Sequence, residues 1–277
     1  MMGALVILLL IVLAVAVARI RRARTRSRRE QLRRKPFPAA WREILDRNVS
    51  LYRQLPAPLR EQLHGHVQVF LAEKNFEGAA GQEITDEVGV TVAAQACLLL
   101  LNRPTSYFPR LFSVIVYPTQ FEVNQPRFFS GPHYIEDTDE RLGESWSTGA
   151  VVLAWDECKS RPEDVRAGRN LVLHEFAHQL DQENASADGV PILGRTSRYA
   201  PWARVLGKEY RRLRRRVSAG MWTLLDEYGA TNEAEFFSVA TECFFMRPKQ
   251  MQTQYPELYA QLREYYVLDP ASHLSEG

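Results

Sequence analysis

The chain has 277 residues, 45% of them hydrophobic and 25% charged, with 35 Lys and Arg against 33 Asp and Glu. That length holds one sizeable domain or two small ones, and the composition excludes a disordered or fibrous chain. Three cysteines (Cys97, Cys158, Cys243) at unrelated spacings give no disulfide frame and suit a reducing compartment.

The chain opens on an uninterrupted apolar run, residues 1–18, followed by Arg19, Arg21, Arg22, Arg24, Arg26, Arg28, Arg29, Arg33, Arg34 and Lys35. Those ten basic residues face the single acid Glu30, which leaves 25 basic against 32 acidic residues elsewhere, a balance of about −7. The small positive total therefore hides a basic collar on an acidic domain, which argues against nucleic acid as the main partner. The apolar run is close to the length that spans a hydrocarbon core. Ala16-Val17-Ala18 also resembles a signal-peptide cleavage site, but the basic residues follow the run instead of preceding it. The expected organisation is a transmembrane anchor over 1–20, a basic juxtamembrane segment over 21–36 that meets anionic headgroups, a domain over 37–268 and a mobile tail over 269–277. The positive-inside rule then makes the chain a single-pass inner-membrane protein with its domain in the cytoplasm.

Helices are predicted over Ala39–Asp46 and Leu59–Glu73, separated by Pro56-Ala57-Pro58, and over Asp86–Asn102, which starts with acids and runs into four leucines. Leu111–Val116 and Gly149–Trp155 read as strands.

His174-Glu175-Phe176-Ala177-His178 follows. On a helix, His at i and i+4 share a face and can bind one Zn²⁺, with the intervening Glu in reach of the metal's water. Leu173, Phe176, Ala177 and Leu180 form an apolar stripe, while His174, His178 and Asp181 form a polar one. Asp181 is either a partner that orients a ligand or a helix-end polar residue. An extended motif with a third His would need Gly at 181 and His at 184, but the chain has Asp181 and Asn184, and the only later His is His273 near the C-terminus. A downstream carboxylate is therefore expected as third ligand, leaving one position open for water.

Residues 182–199 form a polar segment long enough to act as a rim, and 201–217 a helix with an arginine-dense face. In Tyr228-Gly229-Ala230-Thr231-Asn232-Glu233-Ala234-Glu235-Phe236-Phe237, Asn232 reads as a helix N-cap. Glu235 sits three residues on, a spacing that serves a capping box as well as a ligand. Glu235, Ser238 and Glu242 share a stripe, and Glu242 reads as a hydrogen-bond partner for a ligating His. Pro256–Val267 closes the domain as an amphipathic helix.

The combination of HEFAHQLD, YGATNEAEFF and SVATECFF resembles the zincin-type peptidases of the Mlc titration factor A family. The likeness extends to Lys74–Gly78, Thr85–Glu87, Ala93–Leu101 and Gly143–Trp146, and so covers roughly residues 40–268. It implies an α+β zincin-like domain, helices packed on a small mixed sheet, that hydrolyses peptide bonds. It also implies zinc on His174, His178 and Glu235, with Glu175 as the base. Tyr228, seven residues before the third ligand, would stabilise the transition state, although a Tyr at a Gly turn also serves as a packing residue. The family name adds a second expectation, a membrane-held regulator that sequesters a transcriptional repressor. A purely structural zinc is the remaining alternative.

Overall fold

The computed structural model describes residues 2–119, 149–159 and 161–273; the Gly143–Trp146 segment lies outside them. Helix α1 (Met2–Arg33) is followed by α2 (Ala39–Asn48), α3 (Ser50–Gln54) and α4 (Ala57–Glu73). Strand β1 (Asn75–Gly78) leads into α5 (Asp86–Leu98), then β2 (Ser113–Tyr117), β3 (Ala150–Ala154) and the short helices α6 (Trp155–Cys158) and α7 (Pro162–Ala167). Helix α8 (Leu171–Asp181) carries the two-histidine motif. It is followed by α9 (Tyr199–Ser218), α10 (Glu233–Met246), α11 (Pro248–Gln254), α12 (Pro256–Tyr266) and α13 (Pro270–His273).

The strands lie in the order β1-β2-β3, and both pairings are parallel, with Asn75 opposite Ser113 and Ser113 opposite Ala150. Among the described residues the sheet is thus wholly parallel instead of mixed. A parallel pair cannot be closed by a tight turn, and α5 supplies the crossover between β1 and β2. Val114, Val116, Val151 and Leu153 alternate inward and are buried. The third strand starts at Gly149, whose φ of +71° would strain other residues and whose added Cβ would lie 2.8 Å from the Arg110 carbonyl oxygen.

Helix α5 is the central element: every residue from Val88 to Leu98 is buried. Such a helix has no solvent face to carry polar residues, which explains its even apolar sequence. Its start is set by Thr85, whose hydroxyl accepts from the Val88 N–H, and by Asp86 and Glu87 at the positive end of the helix dipole. The metal-motif helix α8 packs between α5 and α10. Leu173, Phe176, Ala177 and Leu180 are all at most 1% exposed, the face predicted to be apolar. Phe176 closes a triangle of rings with Phe70 on α4 and Phe108.

The expected anchor over residues 1–20 gains no support from the described residues. Among the described residues, no helix is long and apolar enough to cross a membrane. Leu10–Ala18 follow one another as apolar side chains along α1. These side chains are exposed, Leu10, Ile11, Val12 and Leu13 by 55–59% each.

The basic segment over 21–36 also differs from expectation, because α1 continues through it and docks on α4. Arg29 grips Glu73 with two hydrogen bonds of 2.8 Å, and both Arg33 Nε and Nη2 donate to the Tyr107 hydroxyl. At the other end, residues 270–273 form α13, and the Ala271 N–H donates to the Tyr259 hydroxyl. On α9, Arg211, Arg214 and Arg215 are exposed, whereas Arg212 pairs with Glu209 and Arg216 donates to the Trp222 carbonyl.

Candidate metal centre

Two asparagine caps place the donors. Asn170 accepts from the Leu173 N–H at 2.9 Å and starts α8, which puts His174 and His178 one turn apart on the same side. Asn232 accepts from the Glu235 N–H at 2.9 Å and starts α10, so the predicted cap is found. The Glu235 side chain, however, does not reach back to close a capping box. It crosses to α8, with Oε2 3.0 Å from His174 Nε2 and 3.3 Å from His178 Nε2.

His174 Nε2 and His178 Nε2 lie 3.2 Å apart, and the donor atoms of His174, His178 and Glu235 all fall within 4.8 Å of one another. All three residues are buried. The sequence-predicted ligand set is therefore brought together. Glu242, one helical repeat beyond Glu235, accepts from His174 Nδ1–H at 2.8 Å through Oε1. That contact leaves Nε2 to face the cluster. Ser238, on the same stripe, is buried and its hydroxyl has no hydrogen-bond partner.

The electrostatics favour a cation here. Burial acts to discharge His174, yet its hydrogen bonds to the Glu235 and Glu242 carboxylates hold its pKa well above the ordinary imidazole value. Burial also opposes the Glu235 charge, but His178 and His174 outweigh it and hold the carboxyl below the usual range. Burial pushes Glu242 up and His178 down. Two buried carboxylates thus flank one imidazole, and a positive charge at Nε2 satisfies them. A divalent metal at the same point would supply that charge and accept the lone pairs of both Nε2 atoms, so the residues fit an ion.

Glu175 faces away from the apolar stripe and is half-buried. Burial, with Glu235 and Glu242 adding to it against His174, pushes its carboxyl up to about 8. Tyr228 is half-buried, and its ring centroid lies 6.1 Å from that of His174. A short 3₁₀ turn positions it: Asp226 accepts from the Tyr228 N–H at 3.0 Å.

Asp181 is fully buried and does not bond to either histidine. Its Oδ2 accepts from the Gly189 N–H at 2.8 Å, while the Gly189 carbonyl accepts from Trp202 Nε1. Gly189 has a φ of +73°, and an added Cβ would stand 2.4 Å from the Glu233 carbonyl oxygen. The residue thus locks the 182–199 segment against the start of α10. Two participants escaped the sequence reading: Asn170, and Gln95 on α5, whose Oε1 accepts from Asn170 Nδ2 at 2.6 Å. Asn170 had a visible signal, since Asn directly before an apolar helical run is a cap position. For Gln95 the signal was a lone amide inside an otherwise apolar helix.

The family description "Glucose-regulated metallo-peptidase M90" matches residues 22–267. An uncharacterized Synechocystis protein is 39% identical over 242 residues, covering 87% of this chain and 88% of that protein. Mlc titration factor A of Yersinia pestis and of Yersinia pseudotuberculosis is 27% identical over 239 residues, 85% of this chain and 87% of each relative.

Proposed function

This chain belongs to the glucose-regulated metallo-peptidase M90 family, and from that premise we propose that it is a zinc-dependent peptidase. The observation that carries the reading is the convergence of His174 Nε2, His178 Nε2 and a Glu235 oxygen, with His174 oriented from behind by Glu242. Two imidazoles and one carboxylate are a donor set suited to zinc with a position left open.

Bound there, zinc supplies Lewis acidity toward a water and toward a substrate carbonyl. Glu175 accepts the water's proton as it attacks, then delivers that proton to the leaving amine. The Tyr228 hydroxyl donates to the oxyanion that forms at the carbonyl. The described sheet ends at β3, and an extended substrate pairs with that edge. Metal analysis of the purified protein, followed by peptide-library cleavage with and without chelator, tests the reading. One zinc per chain and chelator-sensitive cleavage are expected; absence of both refutes it.

For location, the uncovered apolar start of α1 and the exposed arginines behind it support attachment to the inner membrane, with the domain in the cytoplasm. Membrane fractionation of the full chain and of a chain lacking residues 1–21 tests this. A full-length chain that is not recovered with membranes refutes it. A second reading follows from the names of the Yersinia relatives: a protein partner, of transcriptional-repressor class, held by the same domain. Glu175→Gln separates the two, because cleavage disappears while zinc content and partner binding persist.

A further inference from the structure

The buried hydrogen bonds behind His174 do not stop at Glu242. The second oxygen of Glu242, Oε2, accepts from the Asn170 backbone N–H at 2.6 Å. Asn170 Nδ2 donates to Gln95 Oε1 at 2.6 Å, and Gln95 Nε2 donates onward to the Cys158 carbonyl at 2.6 Å. Gln95 also reaches the Thr91 carbonyl at 3.4 Å. The chain of contacts therefore runs from the end of α6, directly after β3, through α5 and the cap of α8, to the ring that faces the metal centre.

Each link is directional. Asn170 spends Oδ1 on the cap of α8, so only its amide nitrogen is left for Gln95. Gln95 spends its nitrogen on carbonyls, so only its oxygen is left for Asn170. An inverted Gln95 amide would face donor with donor and acceptor with acceptor at once. Gln95 is 1% exposed, Asn170 9%, Glu242 8% and His174 6%, so water does not compete for these atoms. Burying four polar side chains is costly unless every one is paired, and in this chain each link pairs the next.

We propose that Gln95 is a positioning residue for the metal centre: through Asn170 and Glu242 it fixes the orientation of His174 and couples it to the backbone that leaves the sheet's terminal strand. The proposal rests on His174 being a metal ligand. It reaches beyond that assignment by giving a role to a side chain on α5, three hydrogen bonds removed from the imidazole. Losing such a support leaves Glu242 able to rotate, and the ring with it, so metal affinity falls before the fold does.

The test is zinc affinity of the full-length protein, read by competition with a chromophoric chelator, for Gln95→Met, Asn170→Asp, Glu242→Gln and pairwise doubles. Asn170→Asp keeps the cap acceptor and removes only the amide donor, and it decides the matter if Gln95→Met does not fold. Gln95→Met and Asn170→Asp are each expected to weaken zinc binding about 5–10-fold, and Glu242→Gln about 10–100-fold. Gln95→Met combined with Glu242→Gln should be no weaker than Glu242→Gln within about twofold, since the same support is already gone. Unchanged zinc affinity in the single variants, whatever their melting temperatures, overturns the proposal, as do fully additive losses. A His174→Ala protein that binds zinc like the parent would instead overturn the ligand assignment, a separate outcome.

Discussion

Phe176 lies inside the metal motif but points away from the metal, and truncating it measures how firmly α8 is held. Its ring is fully buried, 4.9 Å from the Phe108 centroid at 70° and 5.7 Å from that of Phe70 at 59°. Both are near edge-to-face arrangements, worth about 0.5–1.5 kcal/mol each beyond buried area. Phe→Ala in a core costs about 3–5 kcal/mol, and two ring partners that cannot relax toward the gap put this site near the top of that range. For a domain of this size each kcal/mol lowers the melting temperature by about 2–4 °C, so Phe176→Ala should melt about 8–18 °C below the parent. Phe176→Leu, which keeps most of the volume, should lose about half as much. Urea titration and calorimetry of the metal-free proteins give the number without a contribution from bound ion. A loss under about 2 kcal/mol for Phe176→Ala would refute the claim that this triangle anchors the helix.

Glu175→Gln should lower peptide cleavage by about 10²–10⁴-fold with zinc stoichiometry unchanged; activity retained within tenfold would remove Glu175 from the base role. Asp181 is pushed up to about 7 by burial, against the Gly189 N–H that lowers it. Between the ordinary aspartate value and about 7, the folded chain therefore holds a proton that the unfolded chain has released, and stability falls as pH rises through that window. Asp181→Asn keeps the acceptor for Gly189 and should flatten this slope; identical slopes in urea midpoints from pH 4.5 to 7.5 would contradict it. Removing residues 1–21 should leave the melting temperature unchanged. Removing 1–34 should lower it, because Arg29 and Arg33 then leave Glu73 and the buried Tyr107; equal melting of the two truncations would show the docking to be inert. Gly189→Ala should weaken both stability and zinc binding, since its methyl group presses on the backbone two residues before Glu235; stability lost with zinc affinity intact would confine its role to the loop.

The elements legible in the sequence were those whose pattern is local. The i, i+4 histidines, the apolar stripe of α8 and the Asn232 cap depend on residues within two turns, and all lie where periodicity and capping place them. Helix α9, expected over 201–217, extends by two residues at its start and one at its end. Strand β1 was missed because Asn75-Phe76-Glu77-Gly78 has one large apolar residue and no alternation. It exists because the Asn75 N–H finds the Phe112 carbonyl just before β2 and the Ala79 N–H the Val116 carbonyl within it. The parallel sense of the sheet was not readable either, since register and direction depend on a crossover instead of on a turn. Arg29 and Arg33 looked like the rest of a basic run; only the fold brings Glu73 and Tyr107, 44 and 74 residues later, against them. On spacing alone Glu235 was as much a cap as a ligand, and only the fold shows that its side chain reaches His174 on α8.

The two ends of the metal centre enclose a long excursion of chain. His174 and Glu235 are 61 positions apart, and the span between them includes the 182–199 segment, all of α9 and the turn that carries Tyr228. An ion shared by those residues acts as a reversible cross-link, closing a loop whose entropy cost, by the logic of a disulfide of that length, is about 4 kcal/mol. A single proteolytic cut between Asn184 and Tyr199 would then open the backbone without releasing either half. The nicked protein should run as one species while the metal stays bound and part into two fragments under chelator and mild denaturant. Sensitivity to cleavage and persistence of the assembled domain are in this way set by different parts of the same loop.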